Sequence, residues 1–213
     1  MSHLLPDAEV IDAYVELRVR VSALLREAPQ DADELVVPHC PQWTVAELAS
    51  HMLGVPDDIV NGRMEGVASD AWTQAQVERH RGKSLRSIAD ELENLNARFD
   101  PILPHIPPMA RSQMTMDAVT HEHDLRHAIG RPGARDSRAV KAGLAWLREW
   151  TTARNPEGAQ ALFGAGVNDF DLLRCLTGRR SEPQVIALGL DIAVLRQVLH
   201  GSPLRIPAAT VGE

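Results

Sequence analysis

The chain has 213 residues, of which 44% are hydrophobic, enough to bury one sizeable core or a core with an extension. Aromatic residues make up only 4%, so that core must be built from Leu, Val, Ile and Ala, which suits helices better than sheets. A net charge of −7 excludes a general binder of phosphate backbones, so no nucleic-acid partner is expected. No run approaches the roughly 18 apolar residues of a membrane span, and MSHLLPDAEV lacks the basic start and apolar stretch of a secretion signal. A cytoplasmic protein without a membrane partner is expected, and two cysteines, Cys40 and Cys175, with no C-x-x-C spacing fit a reducing compartment.

Val10, Ala13, Tyr14, Leu17, Val21 and Leu24 recur at three- and four-residue steps and predict a first amphipathic helix from Asp7 to about Arg26. APQDADELVVPHCPQW then loops across to a second helix, which Thr44 caps with Glu47 three residues on as a capping box. Val45, Leu48, Ala49 and Met52 form its apolar face, with His51 on the flank. Gly54 and Pro56 predict a break there, followed by a new helix from about Asp57 to Gly66. Ser84 to Asp100 carries Leu85, Ile88, Ala89, Leu92, Leu95 and Phe99 on one side, and PILPHIPP ends that helix.

A further helix from about Ala110 to Ile129 stops at Gly130 and Pro132. Ser137 to Arg154 and Pro183 to Leu199 are two more amphipathic stretches, with a Leu-Leu-Arg turn between them and a tail, PLRIPAAT, that forms a strand or coil. Arg179 and Arg180, like Arg79 and Arg81, read as solvated helix ends. Residues 1–135 are expected to form a helical bundle and residues 136–213 a helical extension on the same core.

The stretch MDAVTHEHDLRHAIGRPG, residues 116 to 133, offers metal ligands at helical spacing. Asp117 and His121 stand four residues apart, as do His123 and His127, and such neighbours share a helix face. At roughly 100° per residue, Met114, Ala118, Leu125 and Ile129 form the buried stripe; Asp117 and His121 sit on its margin, while His123 and His127 project to the other side, where a solvated face is expected. This favours Asp117 and His121 as the inward pair. A catalytic zinc-type site takes a third protein ligand and keeps one position open, and His51 is the candidate.

Trp43-Thr44-Val45 followed by His51, then an Asp-xxx-His step leading into His121-x-x-Asp124-Leu125 and a terminal Gly130, resembles the mycothiol-dependent maleylpyruvate isomerase family. That family belongs to the DinB/YfiT-like superfamily of metal-binding four-helix bundles. DFDLLRCLTGRRSEPQ, residues 169 to 184, is similar to a Leu-Leu-Arg…Gly-Arg-Arg signature of many actinobacterial members, so the resemblance spans most of residues 10 to 185. It implies an all-α bundle with a divalent metal, typically zinc, on His51, Asp117 and His121, and mycothiol as the thiol cofactor. The family pattern has Glu where this chain has Asp117, one methylene shorter, and broader members often use a His-x-x-x-His step, which keeps His123 and His127 as the alternative pair.

These readings predict a thiol transferase or isomerase that acts on a small electrophile through a metal-activated thiolate. Asp124 either orients a ligand imidazole by hydrogen bonding or pairs with Arg126 or Arg131 on the helix surface. An anionic substrate would need a cation, for which Arg63, Arg79 and Arg81 are candidates, and a homodimer is compatible with this reading. The alternative is a non-catalytic metal- or ligand-binding bundle of regulatory or stress-related role, with a fourth ligand such as His123 or Cys40 filling the open position.

Overall fold

The computed structural model describes residues 2–213. They form ten α-helices and one two-stranded sheet, so the all-α expectation holds at the level of class. None of the helices is long and apolar enough to cross a membrane. The chain divides into two compact units, one of Tyr14–Pro107 with His121–Gly133, the other of Pro108–Thr120 and Ala134–Glu213 with the N-terminal stretch up to Ala13.

Helix α1 (Asp7–Arg26) buries all six residues of the apolar stripe expected for it. The loop that follows is more ordered than its polar composition suggests: Val36–Val37 (β1) and Cys40–Thr44 (β2) pair antiparallel through an irregular register. Thr44 then closes the predicted capping box, accepting from Glu47 N at 3.3 Å while Glu47 Oε2 accepts from Thr44 N at 2.9 Å.

Helix α2 (Val45–Val60) runs unbroken through Gly54 and Pro56, where a break had been expected. Pro in a helix interior costs about 3 kcal/mol locally. Burial outweighs that cost, because Val45, Leu48, Ala49, Met52, Leu53, Gly54, Pro56 and Asp58 are all buried. Gly54 is there for close approach: a β-carbon at this position would overlap the Gln76 side chain on α3 (Asp70–His80). Helix α3 itself went unpredicted because its apolar face is reduced to Trp72, Val77 and the polar Gln76 and His80. Helix α4 (Leu85–Phe99) starts at Ser84, whose hydroxyl accepts from Ser87 N, and buries the expected stripe against α2.

Helix α5 (Pro108–Ala128) ends as its sequence predicts: Gly130 adopts φ +66°, Gly130 N donates to His127 O and Arg131 N donates to Arg126 O, a Schellman closure. Its burial is broader than the periodicity allowed. Val119 and every residue from His121 to Leu125 are buried, so His123 does not lie on a solvated face. The fully buried Glu122 carboxylate is held by Arg20 of α1 at 2.9 and 2.8 Å and by Arg126 at 3.0 and 2.9 Å, which sets the rotation of this part of α5.

The remaining helices are α6 (Arg138–Arg154), α7 (Pro156–Gly164), α8 (Asp169–Leu176), α9 (Glu182–Ala187) and α10 (Ile192–Leu199). The Leu-Leu-Arg segment is a helix rather than a turn, and the expected single stretch from Pro183 is two helices parted at Gly189, φ +79°. Arg180 is not a solvated helix end. It is buried beside Arg174, and both bind the Glu213 carboxylate, with Arg174 also donating to Thr120 O at 3.2 Å.

Two outcomes follow from this packing. Removing the Glu122 carboxylate strands two arginines that converge on a buried point, so Glu122→Ala should lower unfolding stability by roughly 3 kcal/mol in denaturant titration; a loss below about 1 kcal/mol would show that the triad does not fix α5. His80, buried and facing Lys83, Asp57, Glu91 and Arg79, has its pKa pushed below the usual histidine value by burial and then by Lys83. The unfolded chain therefore binds the proton first, and stability should fall as pH drops below about 6.5. A His80→Gln variant should show a shallower fall in melting temperature over that window, and an unchanged slope would contradict the assignment.

Candidate metal centre

Helix α2 supplies His51 two turns below the Thr44 cap, and α5 supplies Asp117 and His121 one turn apart. One ligand atom from each of His51, Asp117 and His121 lies within 4.8 Å of the other two, a group that could hold a metal ion. With metal–ligand bonds of about 2.0–2.2 Å a tetrahedral site sets its ligand atoms about 3.4 Å apart, a spacing that lies inside this 4.8 Å limit. Both histidines are buried, and their rings meet edge to face with centroids 5.2 Å apart.

Each imidazole is oriented through its Nδ1. That of His51 lies 2.8 Å from Gln76 Oε1, and that of His121 lies 3.2 Å from Asp124 Oδ2. Amide and carboxylate oxygens only accept, so both Nδ1 atoms carry a hydrogen, and in the neutral ring Nε2 then holds the lone pair a metal needs. Of the two roles open to Asp124, it therefore takes contact with an imidazole, while Arg126 turns to Glu122 and the Arg131 carbonyl. The indole of Trp43 covers the pair, its centroid 5.5 Å from the His51 ring and 6.2 Å from the His121 ring, shielding that side of the imidazoles from water.

A second group shares His121: Cys40, His121 and Asp124 also bring one ligand atom each within 4.8 Å, and Cys40 Sγ stands 3.6 Å from Asp124 Oδ2. His123 and His127 enter neither group. The His127 ring lies 5.0 Å from that of His39 instead, and His123 is buried in the packing of α5.

The arginines considered for an anionic substrate are engaged by acids. Arg63 Nε and Arg79 Nη1 donate to Asp58 Oδ1 at 2.6 and 2.7 Å, and Arg81 pairs with Glu78. Two residues that sequence reasoning passed over, Gln76 and Asp58, are both fully buried in this network, with Gln76 Nε2 donating to Asp58 Oδ2 at 2.9 Å. The signal for Gln76 was its place four residues before His80 and beside Val77, on the one face of α3 that packs inward. A concavity of about 670 Å³ lies elsewhere, by Glu182, Arg196 and His200; Arg196 and Glu182 neutralise each other at 2.6 Å, and it gathers no trio of metal ligands.

Comparison of the chain with protein-family models, curated proteins and solved structures gives no match.

The two cysteines sit in contrasting places. Burial in α8 pushes the Cys175 thiol up to about 12, whereas Cys40 is half-buried on β2 beside Asp124. A disulfide reagent at pH 8 should titrate one thiol in the native protein, at Cys40, and the second only in denaturant. Two rapid native equivalents, or a single one that survives Cys40→Ser, would contradict this placement.

Proposed function

We propose that this chain is a metal-dependent enzyme of the mycothiol-dependent isomerase and transferase type, built on a DinB/YfiT-like four-helix bundle with a C-terminal helical extension. The observation that carries the proposal is the trio of His51, Asp117 and His121, whose two imidazoles each engage Nδ1 with Gln76 or Asp124. The Trp-Thr-Val, His-x-x-Asp-Leu and Leu-Leu-Arg…Gly-Arg-Arg resemblances support the same reading. Three side chains of this kind leave a position open for a small molecule, the arrangement of catalytic rather than structural zinc sites.

A divalent metal, zinc by the family resemblance, would supply charge that keeps a bound small thiol deprotonated at neutral pH. His51, Asp117 and His121 would hold it, while Gln76 and Asp124 fix the ring tautomers and Trp43 keeps water from one side. The reaction forms a sulfur–carbon bond at an electrophilic carbon of a small substrate. The proton lost by the thiol balances the charge that develops on the substrate. Release of the same thiol after rotation about the former double bond gives isomerisation, and retention of the bond gives transfer.

A second reading rests on Cys40. Its thiol groups with His121 and Asp124, so a closed, non-catalytic site that recruits Cys40 has a specific geometric basis. Zinc and cobalt titration separates the two. The enzyme reading expects about one ion per chain, affinity lost in His51→Ala and in His121→Ala beyond the 10–100-fold typical of an outer-shell change, cobalt spectra without a protein thiolate band, and consumption of mycothiol with small electrophiles. A thiolate–cobalt band that disappears in Cys40→Ser, with binding indifferent to His51→Ala and no thiol consumed, would replace it with the closed site. Failure to bind either metal would remove both.

A further inference from the structure

We propose that Gln76 is a positioning residue that sets the tautomer of His51, and that Asp58, which never touches His51, dictates the direction in which Gln76 points. The buried chain runs His51 Nδ1 to Gln76 Oε1 at 2.8 Å, Gln76 Nε2 to Asp58 Oδ2 at 2.9 Å, then Arg63 Nε and Arg79 Nη1 to Asp58 Oδ1 at 2.6 and 2.7 Å. It joins α2 to α3 and back to the end of α2, and Gly54 makes room for it, since a β-carbon there would displace Gln76.

The direction of every bond in the chain follows from its charged end. Guanidinium groups only donate, so Asp58 is held as a carboxylate, and a carboxylate only accepts. Gln76 must turn its NH₂ toward Asp58, which turns its oxygen toward His51. His51 must then place its hydrogen on Nδ1, leaving the lone pair on Nε2, the nitrogen a metal on the trio requires. Two arginines at the far end of α2 and on α3 thus determine the electronic state of an imidazole that they do not contact. Burial makes the arrangement strict: Gln76 and Asp58 are fully buried and His51 nearly so, so no bulk water competes for these groups.

A polar network that merely satisfies buried groups would not transmit direction, and this difference is measurable. In Asp58→Asn the side-chain oxygen stays with the arginines and the new NH₂ faces Gln76. The Gln76 amide then has to turn over, donate to His51 Nδ1 and drive the hydrogen to Nε2. Adding Gln76→Glu to Asp58→Asn restores an acceptor at both ends and returns the hydrogen to Nδ1. Arg63 and Arg79 are both part-exposed, so the loss of the Asp58 charge leaves them solvated, and Gln76→Leu serves as a second single variant that deletes the acceptor outright.

The test reads ¹⁵N-resolved imidazole spectra of the metal-free protein, which distinguish a protonated from an unprotonated ring nitrogen, alongside zinc affinity by chelator competition. His51 should be the Nδ1–H form in the wild type, the Nε2–H form in Asp58→Asn, mixed in Gln76→Leu, and Nδ1–H again in the double variant. Zinc affinity should fall about 10–100-fold in both single variants and recover to within a few-fold in the double. A predominant Nδ1–H form in Asp58→Asn, or Nδ1–H as the sole form in Gln76→Leu, overturns the proposal, as does a double variant that fails to restore it. The affinity arm rests on the metal-centre reading, but the tautomer arm does not. A wild type that binds no zinc, with variants that switch tautomer as stated, removes the metal reading alone, whereas a wild type that binds zinc, with variants that do not switch, removes the relay alone.

Discussion

A helix that buries five consecutive residues, His121 to Leu125, four of them polar or charged, depends on partners for the charged groups among them. This constraint shapes the surroundings of α5. Glu122 draws Arg20 from α1 and Arg126 from its own next turn, and Asp124 meets His121 and the Cys40 thiol from β2. The result is a helix whose rotation is set by charged hydrogen bonds as well as by apolar fit, so that its ligand-type side chains stand at defined positions beside α2.

The same logic governs α2. Its His51 is buried, and the partner that satisfies it comes from α3, a short helix with little apolar face of its own. Gly54 permits the approach and Asp58 holds the amide that makes the contact. Residues that look like a helix break in one dimension are thus the means by which two helices come close enough to share a buried hydrogen-bond chain. Both imidazoles of the candidate site end in the same electronic form, one through an amide and one through a carboxylate, and that agreement is what gives the trio its chemical meaning.

Where a helix buries one apolar stripe, the sequence was enough to find it: α1 and α4 bury the residues their periodicity names, and the Thr44–Glu47 box and the Gly130 stop act as their chemistry requires. Periodicity lost its value where burial runs round the helix. It placed His123 in solvent because a stripe model has only one inner face, and it broke α2 at Gly54 and Pro56 because local propensity cannot see tertiary contact. Gln76 and Asp58 were illegible for a related reason: a Gln and an Asp in polar surroundings are ordinary surface residues until the fold buries both against a histidine. The grouping of His51, Asp117 and His121 was legible in part, because helical spacing links Asp117 to His121 and His51 flanks a second inward face; their mutual approach within 4.8 Å is a property of the fold.

The central claim is that two imidazole Nε2 atoms and one carboxylate converge to hold a metal with a position left for a small thiol. X-ray absorption at the zinc edge of the zinc-loaded protein, without and with added mycothiol, tests it most directly. The account predicts two imidazoles and light oxygen donors with no sulfur in the protein alone, and one zinc–sulfur distance near 2.3 Å once the thiol is added. Sulfur already present before the thiol is added, or a nitrogen and oxygen shell that the thiol leaves unchanged, would contradict it.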